Sequence, residues 1–281
     1  MKNDDLKRDA ARYLAQHSER DRTLWTAPAG VGKMAVKSME TSGSRETDTA
    51  APKEESTPVA FHETASSGEW DRGAPEPEST IPVPGEIENP FPQYSVLSDF
   101  EKAICNCQKC PLGKLRKNFV FGVGDPNADL VVVGEAPGAD EDAQGIPFIG
   151  RAGKLLDQIL EAVDLRRGEG VYIANILKCR PPGNRDPQPS EVEQCEPHLI
   201  KQLHLLQPKL ILALGRIAAQ TLLKTSAPLS KLRGKLHDYH GVPLMVTFHP
   251  AALLRNPNWK RPTWEDVQEM KRLLDERREN A

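Results

Sequence analysis

Beyond residue 129 the apolar positions fall into two alternating patterns. Short runs, Leu130–Val133, Val171–Leu177 (VYIANIL), Leu210–Leu214 (LILAL) and Leu244–Phe248 (LMVTF), have the length and β-branched or leucine-rich character of buried strands. Between them the apolar residues recur at helical spacing. Gly150–Val163 carries Leu155, Leu156, Ile159, Leu160 and Val163 on one face. A second helix runs from about Ser190, an N-cap with Glu191 and Glu193 in its first turn, to Leu206. A short helix follows Gly215 through Leu223, and a last one over about Thr263–Arg277 turns Val267, Met270, Leu273 and Leu274 inward. Continuous apolar strands alternating with helices predict an α/β fold, a three-layer α/β/α sandwich around a four-stranded parallel sheet. Upstream, Ser95 marks the start of a helix over Val96–Cys105.

The N-terminal third lacks this pattern. From about Val36 to Pro92 the chain is Ser, Thr, Glu, Pro and Gly with very few large apolar residues. Such a segment cannot bury enough surface to offset its ordering entropy. The expected organisation is therefore a short polar helix within 1–34, a disordered linker over 35–92, and a folded domain over 93–281. The first segment has a thin stripe of Leu6, Ala10, Tyr13 and Leu14 that is a candidate for docking a protein partner. Thr26–Met34 (TAPAGVGKM) superficially resembles a phosphate-binding loop. It fails because Ala27 stands where the first glycine is needed, Met34 replaces the magnesium-binding hydroxyl, and no strand precedes it.

Composition narrows the function class. A net charge of −3 over 281 residues argues against a purely electrostatic, histone-like nucleic-acid binder, while leaving room for a local basic groove. No apolar run approaches bilayer-spanning length and MKNDDLKRD lacks a signal-peptide core, so a cytoplasmic, monomeric protein with no membrane partner is expected. In that setting the five cysteines are better ligands for a metal or cluster than disulfide partners.

The chemistry gathers at the strand ends. Gly134-Glu135 closes the first strand, Asn175 and Cys179 the second, Gly215 the third and His249-Pro250 the fourth. In an open parallel sheet the carboxyl ends form the ligand crevice. The turn Gly134–Gly138 lets backbone approach a ligand and leaves a carboxylate at the sheet edge. The acidic loop after it holds a single aromatic, Phe148, between Pro147 and Gly150. Cys107 and Cys110 form a CxxC pair, and with Cys179 and Cys195 they make a four-thiolate set suited to zinc or to an iron–sulfur cluster; spacing does not choose between these. Cys105 is a spare or substitute ligand.

Taken together, CxxCPL at Cys107–Leu112, GEAPGxxED at Gly134–Asp142, GxPFxGRAG at Gly145–Gly153, NxxKCRPPxNR at Asn175–Arg185 and HPAxLLR at His249–Arg255 resemble the family 4 uracil-DNA glycosylases. The resemblance covers about Phe100–Leu274. It implies the α/β/α fold, a [4Fe-4S] cluster on Cys107, Cys110, Cys179 and Cys195, and removal of uracil from single- or double-stranded DNA. Residue by residue it implies that Gly134, Glu135, Ala136, Glu141, Phe148, Asn175 and His249 line the uracil pocket. Within that set Phe148 stacks on the base, Asn175 reads its O4 and N3–H, and Glu141 shapes the wall that refuses the thymine methyl. Glu135 and His249 are the catalytic pair, the first orienting water or the sugar cation and the second facing O2. Arg151, Lys154, Arg233, Lys235 and Arg255 are candidate phosphate contacts, and Leu253-Leu254 a candidate wedge for the vacated stack. Ala252 departs from the pattern, since relatives often carry an aromatic there. Two alternatives remain in view: a relative acting on other deaminated bases, and a non-catalytic nucleic-acid adaptor.

Overall fold

The computed structural model describes residues 87–280, so the expected polar helix and nearly all of the expected linker lie outside the described residues. The sheet has six strands in the order β1-β3-β2-β4-β6-β5. These are β1 (Val123–Gly124), β2 (Leu130–Gly134), β3 (Val171–Asn175), β4 (Leu210–Leu214), β5 (Leu236–Tyr239) and β6 (Val242–Thr247). The expected parallel core is present: β3, β2, β4 and β6 pair in parallel, each buried along its length. Two antiparallel edge strands extend it, β1 on β3 and β5 on β6. Neither is among the expected strands, β5 lying in a stretch read as a loop, because an edge strand needs no apolar run; LHDY alternates a partly buried leucine with polar residues before the buried Tyr239.

Side-chain alternation sends successive residues of each strand to opposite faces. Val131, Val133, Ala174, Ile211, Ala213 and Val246 pack on one side with Leu199 and Leu203 of α5 (Pro189–Leu206) and Ala218 and Leu222 of α6 (Gly215–Leu222). Leu130, Val132, Ile173, Leu212 and Met245 pack on the other with Leu156 and Leu160 of α4 (Arg151–Glu161) and Val267, Met270 and Leu274 of α9 (Lys260–Glu279). Helices on both faces complete the three layers. A third aromatic cluster, Phe100, Ile104 and Phe121, seats α1 (Leu97–Ile104) beside the sheet. Short helices α2 (Leu112–Leu115), α3 (Ala139–Gln144), α7 (Leu229–Leu232) and α8 (Pro250–Arg255) add to the expected elements, each too brief to show a periodic stripe.

The packed domain begins earlier than residue 93. Ile87 is buried, its carbonyl lies 3.0 Å from His204 Nδ1, Asn89 Oδ1 accepts from the buried Lys201 at 2.7 Å, and Phe91 stacks on His198. The polar composition of the preceding stretch hid these few anchoring residues. Among the described residues no helix is long and apolar enough to cross a membrane.

Candidate active site

Parallel register brings the site together. Gly134 and Asn175 are direct partners at the end of the β2–β3 ladder, and Leu214 and Thr247 partner at the end of β4–β6. The four carboxyl ends open into a cleft of about 690 Å³ lined by Glu135, Phe148, Asn175, Gly215 and His249 among others. Two glycines make the convergence possible. A Cβ on Gly134 would lie 2.3 Å from Asn175 Oδ1 and 2.6 Å from the Phe148 ring. Gly215 has φ +88, and a Cβ there would press to 2.8 Å from the His249 Cβ, so glycine is required on both backbone and packing grounds.

Phe148 adopts φ 53, unusual for a bulky residue, and its surroundings hold it there. The Arg167 guanidinium donates to the carbonyls of Pro147 and Phe148, both at 2.7 Å, and is itself paired with Asp157 at 3.0 Å. Gly153 lets the Phe148 carbonyl rest on α4, where a Cβ would come within 1.8 Å. Glu141 braces the loop from inside: Oε1 accepts from the amides of Ile149 and Gly150 and Oε2 from that of Gly138. The Phe148 ring is thereby fixed against His249, centroids 5.5 Å apart and planes 29° from parallel.

His249 caps α8, its Nδ1 accepting the Ala251 amide proton at 3.1 Å. Burial, with a lesser contribution from the Arg255 charge, pushes its pKa down to about 4. The ring is therefore neutral near pH 7, and with Nδ1 an acceptor the proton sits on Nε2. Asn175 is 2% exposed, and its Oδ1 has no hydrogen-bond partner. A buried orphan acceptor costs on the order of 1–3 kcal/mol unless a ligand completes it. Glu135 has its pKa raised to about 7, mainly by desolvation and then by the nearby Asp186 charge, against an opposing pull from Arg216.

The four cysteines also meet. All are free thiols, Cys179 and Cys195 are buried, and Cys179 feels the charges of Cys107 and Cys110 while Cys195 feels those of Cys179 and Cys110. Desolvation pushes the Cys195 thiol up to about 12, against the pull of Lys178. Arg116 Nη1 donates to Cys179 Sγ at 3.2 Å and to the Cys107 carbonyl at 2.6 Å, while Nη2 reaches the Cys105 carbonyl. The Lys178 amide donates to Cys195 Sγ at 3.3 Å. Among the described residues no three His, Cys, Asp or Glu side chains converge as ligands of a single ion would. Cys179 and Cys195 nonetheless receive donors at their sulfurs, Cys107 Sγ lies 3.6 Å from His198 Nε2, and four electrostatically coupled thiols of this kind are the donor set of a thiolate-bound metal centre. Cys105 stands apart, bonded through Sγ to the Lys102 carbonyl.

Residues 121–268, slightly more than half of the chain, match the model of the uracil DNA glycosylase superfamily. The type-4 uracil-DNA glycosylase of Archaeoglobus fulgidus is 43% identical over 185 residues, 63% of this chain and 92% of that protein. Its Pyrobaculum aerophilum counterpart is 46% identical over 171 residues, 57% of this chain and 86% of that one. A type-5 uracil-DNA glycosylase of the latter organism is 30% identical over 208 residues, 62% of this chain and 90% of that protein. This chain belongs to the uracil DNA glycosylase superfamily, in its type-4 branch.

Within this glycosylase fold, most of the predicted pocket residues sit together. Glu135, Ala136, Glu141, Phe148, Asn175 and His249 all line the cleft, and Gly134 lies beneath it. Glu141 does so as a brace, its carboxylate engaged by three backbone amides. The basic and apolar candidates need correction. Arg233 is committed to the fold: it pairs with the buried Asp266 at 2.9 Å, donates to the Pro262 carbonyl and lies 4.8 Å over the Phe248 ring. Leu253 is a core residue at 1% exposure, because successive positions on the helical α8 are turned by about 100° from one another; only Leu254, 47% exposed, is free to enter a stack. Arg151, Lys154 and Arg255 are exposed, and of these Arg255 lines the cleft.

The cleft also holds residues the sequence reading passed over. Asp186 and Arg216 form an ion pair at 3.2 Å on its rim, and Trp259 stacks on Phe248 with centroids 5.0 Å apart. Asp186 adjoins the Asn175–Arg185 motif and Arg216 follows the strand-ending Gly215, which were the signals for them. Trp259 lies in a polar NPNW stretch with no such signal.

Proposed function

We propose that the protein removes uracil from DNA by hydrolysing its N-glycosidic bond, leaving an abasic site. The observation that carries this reading is the pairing of a neutral His249, protonated on Nε2, with the orphaned Asn175 Oδ1 in one cleft beside the Phe148 ring. A base must leave the stack before its bond can be attacked. In the cleft the flipped uracil lies against Phe148, with its N3–H donating to Asn175 Oδ1 and its O4 accepting from the amide nitrogen. As the C1′–N1 bond breaks, its electron pair passes to the base, and His249 Nε2–H stabilises the negative charge at O2. Water adds to the sugar cation at C1′, and the released proton passes to Glu135, whose raised pKa suits a base operating near neutrality.

Cys107, Cys110, Cys179 and Cys195 would hold a [4Fe-4S] cluster, which in this reading supplies structural closure of a long loop and takes no part in hydrolysis. Arg151, Lys154 and Arg255 meet the phosphates, and Leu254 fills the vacated stack. We read the protein as a monomer acting on chromosomal DNA in the cytoplasm, with residues before 87 open to a protein partner.

The test is a panel of oligonucleotides bearing uracil, cytosine, hypoxanthine or xanthine at a marked position, single-stranded and duplex, with wild type and Asn175→Asp. The expected result is excision of uracil by wild type. The Asp variant, protonated on one oxygen, should lose most uracil activity and gain weak activity on cytosine at low pH, because its donor and acceptor are then reversed. Excision of hypoxanthine or xanthine in preference to uracil would make this a relative with another base; binding without excision of any would make it an adaptor.

A further inference from the structure

Lys178 has no part in the chemistry above, yet it is a fully buried ammonium between the two sites. Burying such a charge is expensive unless its surroundings compensate it closely. Here neither hydrogen-bond acceptor is a carboxylate. Nζ donates to the Asn175 carbonyl at 2.8 Å and to Gln202 Oε1 at 2.6 Å. Gln202 is in turn anchored, its amide donating to the Phe121 carbonyl at 2.9 Å and to the Tyr172 hydroxyl at 3.4 Å. The segment that carries it is held as well, the Lys178 amide donating to Cys195 Sγ at 3.3 Å.

The Asn175 side chain is in the opposite condition. Its Oδ1 finds no partner in the protein, so no bond to that atom fixes the amide before a ligand arrives. What orients it is the peptide that carries it, and that peptide is the last of β3, where the chain begins its turn toward Cys179. A charge-assisted bond to its carbonyl is about twice as strong as a neutral one, and it adds to the Ile176 amide bond to the Gly134 carbonyl in fixing the strand end. We propose that Lys178 is the positioning residue of Asn175, clamping the peptide whose side chain reads the pyrimidine. The proposal rests on the reading of Asn175 given above.

A double-mutant cycle tests it. Single-turnover excision of uracil would be measured for wild type, Lys178→Met, Asn175→Ala and the pair, with visible absorbance per chain recorded for each. Lys178→Met should slow wild type about tenfold with little change in KM, since small misplacements of reacting groups lower rate first. In the Asn175→Ala background the same change should be silent. If the two losses multiply instead, Lys178 acts elsewhere and the proposal is overturned. If Asn175→Ala keeps the wild-type rate, it is the reading of Asn175 that fails, whatever Lys178 does. Should Lys178→Met lose its absorbance or its fold, Gln202→Leu carries the test, because it removes the second acceptor of Nζ without touching the cysteine segment. A fall of a few-fold that vanishes in Asn175→Ala supports the clamp; no fall, or one that persists there, overturns it.

Discussion

At the carboxyl end of β3 the cleft and the cysteine corner share one short stretch of chain, Asn175–Cys179, and treat their polar atoms in opposite ways. In the cleft, hydrogen-bonding capacity is held in reserve: Asn175 Oδ1 has no partner, His249 uses one ring nitrogen and keeps the other, and Glu135 stands desolvated with a pKa near 7. In the corner nearly all of it is spent. Arg116 gathers two carbonyls and a thiol, and the Lys178 amide serves Cys195. The exception is His198, 3.6 Å from Cys107 Sγ through Nε2, whose buried Nδ1 has no partner. A site that must grip and release a ligand keeps unmet bonds in place at a cost to the empty fold, whereas a site that supports the fold satisfies them.

That contrast predicts where mutations hurt. The largest effect belongs to the corner. Cys179→Ser should cost folding rather than chemistry, with iron and sulfide lost and the unfolding midpoint lowered by many degrees, because a thiolate-bound centre contributes its binding energy to folding. Elemental analysis and thermal melts check it. A variant that melts like wild type without iron would make the corner an ordinary core, and zinc in place of iron would change the centre but keep the contrast.

Next is His249→Ala in the cleft. It should lower single-turnover excision on the order of a hundredfold, the usual loss for one preorganised donor, while DNA affinity and melting change little. A normal rate with weakened binding would move His249 from the chemistry to the grip.

The pH profile is a smaller and finer probe of the same cleft. Glu135 has a folded-state pKa raised to about 7, so its carboxylate is lost as pH falls through 7 and present above it. If that carboxylate accepts the proton of the attacking water, the rate rises about tenfold per pH unit below 7 and levels off above. His249, titrating near 4, adds no limb between 5 and 8. Glu135→Gln should flatten the profile. Asp186→Asn should move its midpoint down and Arg216→Ala should move it up, since these are the charges that raise and lower the Glu135 pKa. A wild-type profile flat from 5 to 8 would remove Glu135 from the proton path.

How much of this was legible in the sequence divides along physical lines. The four parallel strands and the residues at their ends were readable because buried strands are continuous apolar runs and the crevice of such a sheet lies at its carboxyl edge. Edge strands β1 and β5 were not, since one solvent-facing side erases the pattern. Pocket residues could be placed from their motifs, but their burial could not: Leu253 and Leu254 look alike in sequence, and only the helical geometry of α8 sends one to the core and the other to solvent. Arg233 likewise reads as a surface cation until Asp266, thirty-three positions later, is folded against it. Long-range pairs of this kind leave no local signal.

The smallest expected effect concerns the domain's beginning, and it separates the composition-based boundary from the packed one. The stretch from about Val36 to the buried Ile87 carries very few large apolar residues, so after removal of residues 1–86 excision on short oligonucleotides and the melting temperature should both stay at wild-type values. Removing residues 1–92 is a different operation. It strips the buried Ile87, the Asn89 acceptor of the buried Lys201, and the Phe91 ring that stacks on His198 beside Cys107. Losing a buried apolar side chain of that size costs about 1.5–3 kcal/mol, and the bond between Asn89 and Lys201 is lost with it. The longer deletion should therefore melt several degrees lower and lose iron more readily on dilution, with the rate per iron-loaded chain unchanged. Equal stability of the two truncations would return the boundary to residue 93. A fall in the rate of a fully loaded 1–92 deletion would mean that the corner reaches the cleft through more than the shared end of β3.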